Sequence, residues 1–573
     1  MRATDDRPHR PARGVAVTYA GRVYQDEAIA ATLAALREHQ RVIVCMPTGT
    51  GKTICYSRLA ELYLRAGHRV LVLAHREELL EQGAEKLEAI TGILAAFEQA
   101  ARAEATLDSQ LVIASVPSLI NRLDRFPPDH FKLVILDEAH HALATSFLSV
   151  LDHFTAKTVG FTATPNRGDE KALAQVFGAV AYDMTLADAI GQGWLVPPYV
   201  ETIECPSLDL ARVRSRSGEL AAGDLGRVLS EIAVLREAIG PALRRAAGLK
   251  ALVFCATRAH MACVAACIRE MAEERQLELH VSSLDGTTPP KERAQIVDAF
   301  RRAGGGTWLL NIDVATEGFD VADVDALILL RPTIVRPRYM QQIGRGLRPL
   351  AGCVDGLDVD EQLAKLGADP RVRHLQPLRG RDDAALARRI AIATSRKPRC
   401  LILDFAGNAG RHELVSPLDL LGGDFEPVEV REAQRLVDAG LSPDLWAALE
   451  AARAARAAKM ADRLARAGDP FALFGLAVPS KSRFGAAPSA KLLAVIGALR
   501  SPRRIQDARE ADALVRELAR REAAGLALYS QLALLARLGH PLEPLRAMPR
   551  RVAAGIVRDR AREAWARAPR ERG

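Results

Sequence analysis

"RVIVCMPTGTGKT", residues 41–53, sets a continuous β-branched, apolar run directly before a glycine-rich turn and a helix-prone stretch. A strand buried on both faces reads this way, and parallel sheets are built from such strands. The turn has the form of a phosphate-binding loop. Gly49 and Gly51 let the backbone N–H groups across Thr48, Gly49, Thr50 and Gly51 curl round phosphate oxygens at a helix N-terminus. Lys52 is placed to reach the β- and γ-phosphates, and the Thr53 hydroxyl to ligate Mg²⁺.

Outward from this stretch, the same alternation of apolar runs and helical segments extends from about Val15 to 204. "RVLVLAH", "LVIASV", "KLVILDE" and "TVGFTAT" repeat the pattern of the first strand. A polar, helix-prone stretch at 205–245 lacks the alternation and reads as a flexible interdomain linker. The pattern resumes over 246–429 with "KALVFCAT", "ELHVSSLDG", "TWLLNID", "DALILL" and, after a charged insert at 351–398, "CLILDFAG". Two tandem parallel α/β domains follow from this. Residues 1–14 read as a disordered tail. From 430 to 573 the strands vanish and Ala/Arg-rich helices take over, with "DPFALFGLAVPSKSRFGAAPS" as a linker.

The 573 residues carry a net charge of +8, spread unevenly. From Ala451 onward there are 25 Lys and Arg against 11 Asp and Glu, a surplus of +14, which leaves −6 for the rest. A basic end on a mildly acidic body suits a polyanionic partner, nucleic acid first, or else a solvated helical surface that docks a protein. The start lacks the apolar stretch of a signal peptide, and no apolar run approaches a membrane span, so a cytoplasmic protein is expected. The eight cysteines include no CxxC pair. Cys263 and Cys267 share one face of an amphipathic helix, Cys45 and Cys255 lie in strands, and neither zinc nor disulfides are expected.

"LVILDEAHHA", 133–142, ends a strand on Asp137 and Glu138. A carboxylate at that tip can hold Mg²⁺, its neighbour can polarise an attacking water, and His140 can sense the nucleotide. Asp137-Glu138-Ala139-His140 resembles the box of the superfamily 2 DEAD/DEAH helicases. The strict phosphate loop has Gly where this chain has Met46, and helicase motors often carry Ala or Met there. The resemblance implies two RecA-like domains and extends to further motifs. "RVYQDEAI" resembles the adenine-reading segment, with Gln25 bonding the base and Arg22 and Tyr24 flanking it. "LAHREELLEQ", with His75 and Arg76, and "ASVPSLINR", with Ser118, resemble strand-gripping motifs. "GFTATP", with Thr162 and Thr164, resembles the motif that couples hydrolysis to movement. "LVFCATRAH" takes the fourth position. "NIDVATEGFD", with Gly318 and Asp320 on the nucleotide side, takes the fifth, and Ile312 stands where a phosphate-contacting Thr is common.

"QQIGRGLRP", 341–349, takes the sixth position. The resemblance implies that Arg345 and Arg348 close on the γ-phosphate when the domains meet, with Gln342 beside His140 or the attacking water. It covers about residues 20–425. "CLILDFAGNAGRHELV" further resembles the RadD-type DNA repair helicases and related phage-like helicases, without the cysteine-rich module some of them carry. The reading is an ATP- and Mg²⁺-dependent helicase or translocase, on DNA in preference to RNA. An RNA helicase with the same engine and a nucleic-acid-gated ATPase switch stay open. A restriction-enzyme motor ranks last, because no metal-nuclease carboxylate cluster is found.

Overall fold

Eight strands form the first sheet. They are β1 (Arg41–Cys45), β2 (Val70–Ala74), β3 (Ala96–Gln99), β4 (Arg102–Ala103), β5 (Leu111–Ser115), β6 (Leu133–Leu136), β7 (Lys157–Thr162) and β8 (Ala179–Asp183). Their order is β4-β3-β5-β2-β6-β7-β1-β8, and every pairing is parallel except β3 with β4. The central strands are buried along their whole length, as their unbroken apolar composition requires. The computed structural model describes residues 21–74, 77–100, 102–139, 145–163, 173, 175–216, 219–312, 321–380, 382–408, 427–438, 448–456, 470–474, 476, 508–538 and 540–567.

The second sheet contains β9 (Pro198–Asp209), β12 (Lys250–Phe254), β13 (His280–Leu284), β14 (Thr307–Asn311), β15 (Ala326–Leu329) and β16 (Cys400–Asn408), in the order β13-β14-β12-β15-β16-β9 and parallel throughout. A short hairpin, β10 (Ser215–Arg216) with β11 (Glu219–Leu220), lies between β9 and β12 in sequence. Edge strand β9 begins on Pro198, which has no N–H to offer a ladder and is tolerated where one side is unpaired.

The linker expected at 205–245 belongs instead to this second lobe. Cys205, Leu208 and Leu210 join the core, and helices Ala222–Leu229 and Ile232–Ala246 bury Leu225, Val228, Leu235, Ile239 and Leu243 in it. Amphipathic helical spacing, not strand alternation, carries the apolar signal there. The first lobe correspondingly ends before Pro198, earlier than 204. The 351–398 insert is a small helical body of its own, with Leu363, Leu366, Val372, Leu375, Leu386 and Ile390 packed together.

The chain divides into two compact units, Met1–Glu426 with Asp444–Trp446, and Pro427–Pro443 with Ala447–Gly573. Both sheets lie in the first unit. The second is helical among its described residues, with Phe471, Phe474, Leu514, Leu532, Leu535 and Leu545 at its core. Phe471 and Phe474 fall in the stretch expected as a linker; helix Pro470–Phe474 packs its aromatic rings inward. Among the described residues no helix is long and apolar enough to cross a membrane. Cys45, Cys255 and Cys267 are buried, and Cys263 packs partly buried against the same core as Cys267.

Candidate nucleotide site

The phosphate loop connects β1 to helix Lys52–Arg65. Gly49 has φ +96° and Gly51, the residue that caps the helix, φ +82°, a left-handed backbone that L side chains rarely adopt. The loop is braced from inside, where Thr50 Oγ1 donates to Pro47 O at 2.7 Å. Met46 is fully buried below it, and its N–H donates to Thr162 O at 2.9 Å, tying the loop to the end of β7. Thr162 is itself fully buried.

Asp137 and Glu138 follow β6 at its carboxyl end, with β7 between β6 and the loop-bearing β1 in the sheet order. Asp137 N donates to Leu73 O at 3.0 Å, and Glu138 N to Asp137 Oδ1 at 3.0 Å. Glu138 holds φ +50°, a strained backbone for a residue with a Cβ and one often found at functional sites. Its Oε1 lies 3.5 Å from Lys52 Nζ. Tyr56, one turn into the helix, is buried; burial first, and the nearby Asp137 charge next, push its phenol well above the usual range.

Lys52 Nζ, Thr48 Oγ1 and Gln342 Oε1 are among the buried polar atoms of this region without a hydrogen-bond partner among the described residues. A buried polar group without a hydrogen bond costs about 1–3 kcal/mol, which the ion pair with Glu138 partly offsets at Lys52. A polyphosphate offers acceptors for the ammonium and the hydroxyl, and a nucleophilic water can donate to the amide oxygen. The residues present therefore fit a nucleoside triphosphate, with Thr53 and Asp137 able to hold its divalent cation.

Helix Arg336–Gly346 carries the sixth motif against the loop. At Gly344 a Cβ would lie 2.4 Å from Thr48 Cβ, and at Gly49 one would lie 3.2 Å from Gly344 O and 3.3 Å from Arg348 Cγ. Only glycine permits this approach. Gln342 and Arg345 are buried, and Arg348 is half-buried. The helix is fixed by Arg338 on Glu219 at 2.6 Å and by Tyr339 Oη donating to Asp404 at 3.3 Å. Just beyond it, Lys397 Nζ donates to Arg348 O at 2.8 Å and Ala322 O at 2.7 Å.

Gln25 and Tyr24 sit on the other flank of the loop, both buried. Gln25 Nε2 donates to Thr50 O at 3.2 Å, Tyr24 Oη donates to the same carbonyl at 2.6 Å, and Arg22 N donates to Gln25 Oε1 at 3.1 Å. The amide expected to read a base thus bonds the loop and its own turn.

A family profile described as "Type III restriction enzyme, res subunit" matches residues 18–167, and another, "Helicase conserved C-terminal domain", matches 230–349. The chain belongs to the superfamily 2 DEAD/DEAH-type helicases. It is 30% identical to the putative ATP-dependent helicase IRC3 of Saccharomyces cerevisiae over 57% of this chain and 49% of that one. It is 32% identical to the putative mitochondrial ATP-dependent helicase irc3 of Schizosaccharomyces pombe over 62% and 60%. The DNA 3'-5' helicase XPB of Mycobacterium tuberculosis is 24% identical over 55% and 58%. The matches thus span about half to three fifths of these relatives' own lengths.

Of the remaining helicase motifs, His75, Arg76, His140, Thr164, Gly318 and Asp320 lie outside the described residues. Ser118 sits on a short helix after β5, accepting from Ser115 Oγ and from Ala100 N, each at 2.8 Å. Fully buried Glu98 braces the segment after Ser118, taking Arg122 at 2.8 Å and Arg125 at 2.6 Å. Sequence reading misses Glu98 and Tyr56. Neither is part of a motif, and a single acid or tyrosine in an amphipathic pattern reads as surface or core.

Proposed function

We propose that this helicase-family chain hydrolyses ATP between its two lobes and uses the lobe motion to translocate on or unwind nucleic acid, DNA in preference to RNA. The observation that carries the reading is the contact of Gly344 with Thr48, ringed by buried Lys52 Nζ, Thr48 Oγ1 and Gln342 Oε1. A site divided between two lobes makes hydrolysis depend on their closure.

In this reading the loop amides and Lys52 bind and orient the phosphates. Mg²⁺ held by Thr53 and Asp137 would neutralise phosphate charge. Glu138, freed from Lys52 once phosphate takes the ammonium, polarises the attacking water, and Gln342 orients it. Arg345 brings positive charge to the γ-phosphate from the second lobe, and Arg348 stands behind it. Nucleic acid gripped by both lobes favours the closed arrangement and so stimulates turnover. The preference for DNA is supported by the restriction-subunit profile and the DNA helicase among the relatives. A setting in repair rests on the resemblance of the 400–415 stretch alone.

Steady-state phosphate release by the full chain, with double-stranded DNA, single-stranded DNA or RNA added, tests this. Stimulation by DNA, abolished in Lys52→Ala, is expected. Stimulation by RNA alone overturns the choice of DNA, and no turnover of ATP under any condition overturns the reading. A strand-displacement assay then separates a motor from a remodelling switch.

A further inference from the structure

The adenine-reading turn is bolted to the 351–398 insert. Arg22 makes a two-pronged ion pair with Asp355, Nε to Oδ1 at 2.8 Å and Nη2 to Oδ2 at 3.0 Å. The same residue's backbone N–H holds Gln25 Oε1. Beside it, the Trp194 ring lies 4.9 Å from the Tyr24 ring and 3.8 Å from the Arg388 guanidinium. Arg388 Nε also donates to Gln192 O at 2.8 Å, and at Gly193, with φ +73°, a Cβ would lie 2.7 Å from Arg388 Cβ. The crossover carrying Trp194 continues to Val196, whose N–H donates to Leu347 O at 2.8 Å at the end of the sixth motif.

Two contacts, joined where the Arg22 guanidinium lies 5.5 Å from the Trp194 ring, thus run from a helical body inserted in the second lobe to the turn that presents Gln25. Both must break when the lobes part, because Arg22 and Tyr24 belong to one lobe and Asp355 and Arg388 to the other. Arg388 stacks its planar cation on an indole face that is only 6% exposed, the arrangement in which cation–π attraction is strongest. These contacts reach the base-side turn through Arg22 and Tyr24, while the same crossover also meets the sixth motif at Leu347.

We propose that Asp355 and Arg388, acting through Arg22 and Trp194, are positioning residues for base selection, holding the adenine-reading turn in register only while the lobes are together. This rests on the ATP reading above. The insert then makes discrimination between nucleotide bases a property of the closed state, so that an incorrect base fails at the moment hydrolysis is assembled.

The test uses the full chain with Asp355→Asn, an isosteric change at a half-exposed site, and Arg388→Ala. One readout needs no nucleotide: hydrogen exchange of the Arg22, Gln25 and Asp26 amides, which bond within the turn. The other is the ratio of kcat/KM for ATP to that for GTP. Exchange should quicken, and the ATP preference should fall about threefold in Asp355→Asn and about three- to tenfold in Arg388→Ala. Equal losses for ATP and GTP, or unchanged exchange in both variants, would overturn the proposal. Turnover of neither nucleotide by the wild type refutes the ATP reading instead, while the exchange readout still decides whether the insert holds the turn.

Discussion

Gly344→Ala adds one methyl group where the sixth motif meets the phosphate loop. The new Cβ would stand 2.4 Å from Thr48 Cβ, 2.8 Å from its Cγ2 and 3.0 Å from its carbonyl oxygen. Carbon atoms settle at about 3.5–4.0 Å, so the approach must open by about 1 Å. Neither side gives way easily. The loop is braced by Thr50 on Pro47 and by Tyr24 on Thr50, and the far end of the sixth motif is held by Lys397. The lobes therefore stand apart, carrying Gln342 and Arg345 back with them. A displacement of about 1 Å in a reacting site can cost about 10² in rate, equivalent to about 2.7 kcal/mol. Nucleotide affinity, set chiefly by the first-lobe loop, should change by no more than about threefold, or about 0.65 kcal/mol. Phosphate release at saturating ATP, beside equilibrium titration of a non-hydrolysable analogue, measures both. Turnover within a factor of two of the native chain would show that the contact is not part of the assembled site.

Glu138→Gln should bind ATP and retain it while turnover falls by about 10²–10⁴, the usual contribution of a positioned base; native turnover would remove Glu138 from the chemistry. Burial raises the Asp404 carboxyl to about 6, so the folded chain favours its protonated form. Its stabilising contribution is complete below pH 3.8 and is lost as pH rises through 6. Asp404→Asn should therefore match the wild type near pH 4 and exceed it in denaturant midpoint above pH 6; the opposite trend contradicts the assigned burial effect. A chain ending at Glu426 should keep basal hydrolysis but bind DNA more weakly, its salt slope flattened by about 0.7–0.9 for each phosphate that the basic region neutralises. An unchanged slope would make that region a protein-docking module.

The central strands are legible because each is an apolar run long enough to be read alone, as in β2 and β5. Edge strands are not: β8 is half-exposed and β9 mixes Glu and Thr with its apolar residues, so neither carries the signature of two-sided burial. The stretch 205–245 misleads for a related reason. Its apolar residues lie at helical spacing, and strand alternation passes over Leu225, Val228, Leu235 and Ile239. In the site, the phosphate loop and the acidic strand tip are legible because their chemistry is local in sequence. The pairing of Arg22 with Asp355 joins residues 333 positions apart, and that of Arg388 with Gln192 joins residues 196 apart. Such contacts leave no local pattern. Only the fold brings them together.

Arg345→Ala bears most directly on catalysis by lobe closure, since the second lobe is held to supply a charge that acts only in the assembled cleft. Single-turnover hydrolysis and ATP affinity should be measured on the same purified protein, with DNA present. A loss of about 10³ in rate with affinity nearly unchanged is expected. Equal losses in rate and affinity would make Arg345 an ordinary ground-state contact and contradict catalysis by lobe closure.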